Sequence, residues 1–167
     1  MYKTLNLSSK IKLIVSDFDG IFTDNSVYVL NENTKLKKLS FKDLMGVSIC
    51  VKNGIKLAVI SGEKSPEIDY IAEKFGLEDI HQGIRNKLPV FLQIKEKYGL
   101  KDEEILYVGD DINDIECLNS VQYAISVAEA NYKVKKLPHI QITQAKPGDG
   151  AFREIIDNII ELKENEE

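Results

Sequence analysis

Short apolar runs are the feature that most constrains the fold of this chain. Leu57–Ile60 and Ile105–Val108 contain no charged residue, which is typical of strands buried on both faces of a sheet. Segments with apolar residues at helical spacing, such as Ile68, Ile71 and Phe75, separate the runs. This alternation predicts an α/β fold with a doubly wound parallel sheet. The predicted strands are 11–16, 55–60, 78–81, 104–109, 121–125 and 139–142.

One segment, at about 25–42, interrupts the alternation. Val27–Leu30, a polar turn Asn31–Thr34 and a second run Leu36–Phe41 predict a protruding β-hairpin. A lone two-stranded hairpin is marginally stable in water, so we expect it to pack on another surface, such as a copy from another subunit. The chain is expected to form a single domain over residues 1–167, with no insertion large enough for a cap domain.

Composition narrows the class of protein. The net charge of −5 argues against nucleic acid as a partner, and no apolar stretch approaches the roughly 20 residues that a membrane span needs. Cys50 and Cys117 fit neither a zinc site nor a disulfide framework and suit a reducing compartment. Met1–Lys10 lacks the apolar core of a secretory signal. We therefore expect a cytoplasmic protein without a nucleic-acid or membrane partner.

Two acidic clusters follow predicted strands. Asp17 and Asp19 come after the first strand, and Asp110, Asp111 and Asp114 come after the fourth. Carboxylates brought together at strand ends repel one another unless a cation lies between them. Ligands of open α/β sheets bind at those strand ends, and carboxylate oxygens are the ligands that Mg²⁺ prefers. The clusters predict a Mg²⁺ site for phosphate chemistry, in which Asp111 and Asp114 either orient the ligands and waters around the ion or cap a helix.

The same residues suit nucleophilic catalysis on a phosphate ester. Asp17 and Asp19 can supply an attacking carboxylate and an acid/base, with Asp110 as a further ligand of the ion. Ser61-Gly62 directly follows a predicted strand, where a hydroxyl and backbone N–H groups can hold phosphate oxygens. Lys87, at the start of a predicted helix, can offset the charge of Asp17 and of the phosphate. A helix cap is the alternative for Ser61, and a solvent-facing lysine is the alternative for Lys87.

In this order the motifs resemble the haloacid dehalogenase superfamily of phosphatases, with its Rossmann-like fold. Asp17–Asp24 (DFDGIFTD), Lys42–Val47 (KDLMGV) and Gly148–Glu154 (GDGAFRE) are similar to its capless phosphatases of 3-deoxy-2-ulosonate phosphates. Those phosphatases act on 3-deoxy-D-manno-octulosonate 8-phosphate or on nine-carbon 2-keto-3-deoxy-nonulosonate 9-phosphates. The resemblance implies Asp17 as nucleophile and Asp19 as general acid/base, whose backbone carbonyl also binds Mg²⁺.

The resemblance also implies a homotetramer in which neighbouring subunits complete each site, and a role in lipopolysaccharide or other surface-sugar synthesis. Asp110 would complete the metal ligands, and Ser61, Gly62 and Lys87 would hold the phosphate. Glu63 and Lys64 stand where octulosonate phosphatases usually carry an arginine. In this respect the chain is more similar to the phosphatases of nine-carbon ulosonates. The expected substrate contacts of the chain therefore also include Thr23, Glu63 and Lys74.

Three other functions stay open from the sequence alone. The chain could hydrolyse other small phosphorylated metabolites with the same residues. It could be a phosphorylation-switch module, although an acid/base at Asp19 argues against a long-lived phosphoaspartate. It could also be a catalytically silent oligomerisation domain, although the complete set of motif residues argues against that.

Overall fold

The computed structural model describes residues 4–166 of the chain. Its strands are β1 Leu13–Ser16, β2 Tyr28–Asn31, β3 Thr34–Leu36, β4 Lys56–Ile60, β5 Asp79–His81, β6 Ile105–Val108, β7 Tyr123–Ser126 and β8 Ile140–Ile142. Its α-helices are α1 Phe41–Lys52, α2 Pro66–Phe75, α3 Lys87–Tyr98, α4 Ile115–Asn119, α5 Tyr132–Lys135 and α6 Ala151–Glu164.

Six of the strands form one parallel sheet in the order β5-β4-β1-β6-β7-β8. The order reverses beside β1, which pairs with β4 on one side and β6 on the other. That reversal is the switch point at which open α/β sheets bind their ligands. The predicted α/β fold without a cap domain is confirmed, and the six predicted strands overlap those in the structure.

The centre of the sheet supplies much of the hydrophobic core. All four residues of β1 and all four of β6 are buried. Helices cover the sheet, and α6 packs its apolar stripe of Phe152, Ile155, Ile156 and Ile159 inward. Burying one aliphatic or phenyl side chain of this size stabilises a fold by ~1.5–3 kcal/mol. The strands whose ends carry the acidic clusters therefore stand in the best-packed part of the molecule.

The hairpin is present but shorter than predicted. Its antiparallel strands β2 and β3 are joined at Glu32-Asn33, so the turn has two residues rather than the four of Asn31–Thr34. The second strand ends at Leu36, whereas the prediction extended it to Phe41. The reason is a helix cap: the Ser40 hydroxyl accepts a hydrogen bond from the backbone N–H of Lys42 and starts α1.

A buried carboxylate links α1 to the start of α6. Asp43 accepts hydrogen bonds from the backbone N–H groups of Gly150 (3.0 Å) and Arg153 (3.1 Å). Burial raises its pKa, and these backbone donors lower it only in part. Gly46 lets the helices approach closely, because a Cβ there would lie 3.1 Å from the Cα of Arg153. The Lys42–Val47 and Gly148–Glu154 motifs thus meet in space and hold the C-terminal helix.

Among residues 4–166, no helix combines the length and apolar character needed to cross a membrane.

Candidate active site

The register of the sheet brings the two acidic clusters together. Ser16 of β1 pairs with Val108 of β6, and the backbone N–H of Asp17 donates to the carbonyl of Val108 (2.9 Å). Asp17 and Asp110 therefore leave adjacent strands at the same edge. Backbone space is tight there, since a Cβ on Gly20 would overlap the Asp110 carboxylate. Gly20 has φ +79°, a conformation that favours glycine.

A trio of carboxylates forms the centre of the site. Asp17, Asp110 and Asp114 each place an oxygen within 4.8 Å of the other two, in a geometry that could hold a metal ion. Burial, followed by the charge of Asp114, raises the pKa of Asp17 well above its ordinary range. Burial also raises the pKa of Asp110 to about 6, although a hydrogen bond with Asp17 opposes it. A divalent cation between these groups would favour their charged forms.

Lys87 brings a positive charge against two carboxylates of this trio. It is the first residue of α3, and its Nζ lies 2.9 Å from Oδ1 of Asp17 and 2.9 Å from Oδ1 of Asp114. Its side chain is entirely buried. Burial lowers the pKa of the ammonium, but Asp17 and Asp114 outweigh that effect and raise it. The structure therefore places Lys87 against the predicted nucleophile, and not in solvent.

Asp114 organises the second acidic loop. It is fully buried and accepts hydrogen bonds from Lys87, from the Tyr107 hydroxyl (2.8 Å) and from the backbone N–H groups of Asp110 (3.1 Å) and Asp111 (3.2 Å). This placement suits the orienting role predicted for it. Asp111 differs, because its exposed carboxylate accepts from the backbone N–H of Ile112 and caps the short 3₁₀ turn that follows.

The carboxylate of Asp19 points to a different set of partners. Its Oδ2 lies 2.7 Å from Nζ of Lys37, and its Oδ1 accepts from the Thr23 hydroxyl (3.1 Å). The predicted substrate contact by Thr23 is therefore wrong. Thr23 is fully buried, and its Oγ1 also accepts from the backbone N–H groups of Gly20 and Asn25. The hydroxyl shapes the loop and cannot face a ligand.

Two neighbouring cavities adjoin these groups. A hollow of about 130 Å³ is lined by Asp17, Asp110, Ser61 and Gly62 among others. An open groove of about 750 Å³ lies between the hairpin and the start of α2, and the residues that line both cavities mark their junction. Asp19, Asn25 and Glu63 line both cavities. The structure thus brings Ser61, Gly62 and Glu63 to the site, where the sequence predicts them.

Lys74 does not reach these cavities. It lies in the last turn of α2, exposed, with its Nζ 3.0 Å from the Tyr70 hydroxyl. The groove is lined by the opposite end of that helix, at Pro66 and Glu67. The prediction that Lys74 binds substrate is therefore wrong for the site of its own chain, because most of the length of α2 separates it from the groove.

Three residues of the site are missed by the sequence reasoning. Lys37 is one of several lysines around the hairpin, and nothing in the sequence distinguishes it. Tyr107 reads as one more core residue of a buried strand. Asn25 has φ +69°, unlike every other non-glycine residue that the structure describes, and its side-chain amide lies 3.4 Å from Oδ2 of Asp110. Asparagine tolerates this left-handed conformation better than most residues do, which is the one signal available in advance.

Known proteins are similar to this chain in sequence. The sequence pattern of the haloacid dehalogenase-like hydrolases matches residues 63–155. The 3-deoxy-D-manno-octulosonate 8-phosphate phosphatase of Escherichia coli strain K12 is 29% identical over 154 residues, which cover 92% of this chain and 81% of that protein.

Solved structures agree with the sequence comparison. The octulosonate 8-phosphate phosphatase of Moraxella catarrhalis, a complex with magnesium, phosphate and a KDO molecule, is 30% identical with a TM-score of 0.87. The alignment covers 94% of this chain and 90% of that one. The enzyme from Yersinia pestis superposes with a TM-score of 0.89 at 25% identity, covering 98% and 94%. The chain therefore belongs to the haloacid dehalogenase-like hydrolases, and its relatives within that family are phosphatases.

Proposed function

We propose that this protein is a Mg²⁺-dependent phosphomonoesterase that hydrolyses a 3-deoxy-2-ulosonate phosphate through an aspartyl-phosphate intermediate. The observation that carries the proposal is the buried cluster of Asp17, Asp110, Asp114 and Lys87 at the switch point of the sheet. The relatives of the chain are octulosonate 8-phosphate phosphatases, and one of their structures contains magnesium, phosphate and the sugar acid.

The donor set fits Mg²⁺. Asp17 and Asp110 would bind it through carboxylate oxygens and Asp19 through its backbone carbonyl, while Asp114 holds the backbone of the Asp110 loop. Bound Mg²⁺ would offset the charge of the carboxylates and of the phosphate. An oxygen-only set of acidic groups is the kind of site that this hard cation prefers.

The contacts of Asp17 support its proposed role as nucleophile. Its Oδ1 is held by the backbone N–H of Phe18 (2.7 Å) and by Lys87, so the carboxylate has a fixed direction toward the hollow. A bond forms from the Asp17 carboxylate to phosphorus as the bond from phosphorus to the sugar oxygen breaks. Ser61, the N–H groups near Gly62 and Lys87 would hold the phosphate oxygens during this step.

Asp19 would handle the protons at the junction of the two cavities. The leaving oxygen joins the phosphate in the hollow to the sugar in the groove, and Asp19 lines both. Asp19 gives its proton to that oxygen, then takes one from the water that attacks the aspartyl-phosphate. Inorganic phosphate leaves, and Asp17 and Asp19 return to their starting states.

The groove suits a sugar acid. Lys35 and Lys64 line it together with Glu63 and Glu67, so cations and hydrogen-bond acceptors face the same space. The ammonium of Lys37 is already paired with Asp19. No arginine occurs from Glu63 through Phe75, although arginine is the residue best suited to grip a carboxylate with two hydrogen bonds. The groove therefore favours the longer nine-carbon ulosonate, whose one additional hydroxyl group would meet the acidic side chains.

The hairpin supports a homotetramer with shared sites. Tyr28, Val29 and Leu30 are each more than 60% exposed in the single chain, and β2-β3 forms a sheet of its own. Contact between hairpins of several copies would bury these side chains and close the groove from above. Such closure would exclude bulk water from the aspartyl-phosphate. The proposed setting is the cytoplasm, in the synthesis of a surface sugar.

Phosphate release from a panel of substrates tests the proposal. The panel holds octulosonate 8-phosphate, nine-carbon ulosonate 9-phosphates, hexose phosphates and 4-nitrophenyl phosphate, each assayed with Mg²⁺ and then with EDTA. We expect Mg²⁺-dependent release with a preference for an ulosonate phosphate, the nine-carbon one first. Equal rates on all sugar phosphates would leave a general phosphatase. A stable phosphoprotein without release would indicate a switch module, and no reaction at all would indicate a silent scaffold.

A further inference from the structure

Lys37 is held in one place by a hydrogen bond from its backbone and by an ion pair of its side chain. It directly follows β3, and its backbone N–H donates to Oε1 of Glu67 (2.9 Å) in the first turn of α2. Its ammonium lies 2.7 Å from Oδ2 of Asp19, and also 5.8 Å from the centre of the Phe18 ring. Its side chain is only 8% exposed, and a lysine is rarely buried this far unless it is paired.

The neighbouring lysines make the contrast clear. Lys35 and Lys38, on either side of Lys37, are exposed. Glu67 fixes the backbone of residue 37 through its Oε1. Its second oxygen, Oε2, is buried and has no hydrogen-bond partner among the described residues. The Glu67 carboxylate thus has no competing donor that would draw it away from the backbone of Lys37.

The partner of the Lys37 ammonium is Asp19, the proposed acid/base. Both oxygens of Asp19 are engaged, Oδ1 by Thr23 from its own loop and Oδ2 by Lys37 from the base of the hairpin. Thr23 alone would leave the carboxylate free to rotate away from the junction between the hollow and the groove. A proton-transfer group acts well only when it is held within hydrogen-bond reach of the reacting oxygen.

We propose that Lys37 is a positioning residue that holds the Asp19 carboxylate at the junction of the two cavities, so that the hairpin sets the geometry of proton transfer to the leaving group. This inference rests on the proposed function for the identity of the reaction, and on the structure alone for the position of Asp19. Lys37 touches the acid/base and not the phosphorus, so its removal should affect the leaving-group proton more than the phosphoryl transfer itself.

Leaving-group dependence provides the test. The full-length protein and its Lys37→Met, Lys37→Arg and Lys38→Met variants are assayed with Mg²⁺ on the preferred sugar phosphate and on 4-nitrophenyl phosphate, whose leaving group departs without a proton. We expect Lys37→Met to lower kcat about tenfold or more on the sugar phosphate and less than about threefold on the nitrophenyl ester. Lys37→Arg should recover part of the loss, and Lys38→Met, the matched exposed lysine, should behave as the unchanged protein does.

Equal losses on the two substrates, or no loss on either, would overturn the inference. A crystal structure of Lys37→Met tests the positioning role without any substrate. The Asp19 carboxylate should leave its position in the variant, and an unchanged Asp19 would overturn the positioning role. If the unchanged protein hydrolyses no sugar phosphate, the proposed function fails, while the position of Asp19 in the variant still decides the role of Lys37. A melting temperature for each variant separates these effects from loss of folding.

Discussion

The acidic centre of this protein is among its most buried regions, and the hairpin is among its most exposed. Asp17, Asp114 and Lys87 are almost completely buried, and Lys87 pairs with both carboxylates. Tyr28 and Leu30 in the hairpin carry large apolar side chains into solvent, at 70% and 63% exposure. In a folded protein, buried charges are normally paired and large apolar groups are normally covered. Within one chain, Lys87 pairs with two of the buried carboxylates, whereas the apolar side chains of the hairpin stay uncovered.

The difference shows which part of the function is intrinsic to the chain. The carboxylates and Lys87 need only a cation and a substrate, because their other contacts come from the chain's own strands and helices. In the proposed tetramer, the exposed side chains of the hairpin would be covered by other copies of the chain. Lys37 lies between the two regions, bonded to Asp19 and placed directly after β3. The centre and the hairpin should therefore respond differently to substitution.

The largest expected effect is on the centre. Asp17→Asn should reduce Mg²⁺-dependent phosphate release roughly 10⁴-fold or more, because it removes the proposed nucleophile. The variant should still fold, since the amide fits the same space beside Lys87. Phosphate release and circular dichroism check the two statements. Asp102→Asn, at an exposed aspartate paired with Lys95, is the control and should retain full activity. Substantial Mg²⁺-dependent turnover by Asp17→Asn would rule out the proposed mechanism.

The next effect is on the hairpin. Leu30→Asp should convert the assembly to single chains and lower activity, while the stability of the single chain changes by only about 0.5 kcal/mol, as is usual at an exposed position. Light scattering after size-exclusion chromatography gives the mass. Leu92→Asp, at a similarly half-exposed leucine of α3, is the matched control and should leave the mass unchanged. An unchanged mass for Leu30→Asp would show that the hairpin does not mediate assembly.

The smallest effect is on the stability of the metal-free centre. The pKa of Asp110 is raised to about 6 in the folded chain, mainly by burial, so folding becomes less favourable as the pH rises from about 4 through 6. Without a cation this costs on the order of 3 kcal/mol. Mg²⁺ should remove the cost, so it should raise the melting temperature more at about pH 7.5 than at about pH 5. Thermal unfolding in EDTA and in Mg²⁺ measures this, and an equal rise at both pH values would contradict it.

Much of the site follows from local sequence rules. Parallel strands end at a common edge, so the positions of Asp17 and Asp110 after two predicted strands are enough to place their side chains together. Ser61 and Lys87 follow from the same logic, because each lies next to the end of a strand or the start of a helix. The position of the hairpin is also readable, since its two apolar runs flank a polar turn.

The sequence-based predictions fail where a side chain contacts a distant segment, or where it bonds within its own loop. Thr23 turns inward because its hydroxyl accepts two backbone N–H groups of its own loop, which no spacing rule predicts. Lys74 is misplaced because the direction of α2 relative to the cavity depends on how the helix packs. Lys37 is missed because its partners, Asp19 and Glu67, lie far from it in sequence. These arrangements depend on tertiary packing, and propensity does not determine them.

The central position of β1 has a consequence for the way the protein is made. Leu13 pairs with Lys56 on one side and with Ile105 on the other, so β1, which directly precedes Asp17, pairs with strands that are synthesised much later. Contacts this distant in sequence slow folding and leave strand edges exposed meanwhile. On the ribosome, Asp17 emerges early but meets Asp110 and Asp114 only when most of the chain has been translated. A nascent chain arrested before β6 would therefore contain the proposed nucleophile without the rest of the acidic cluster.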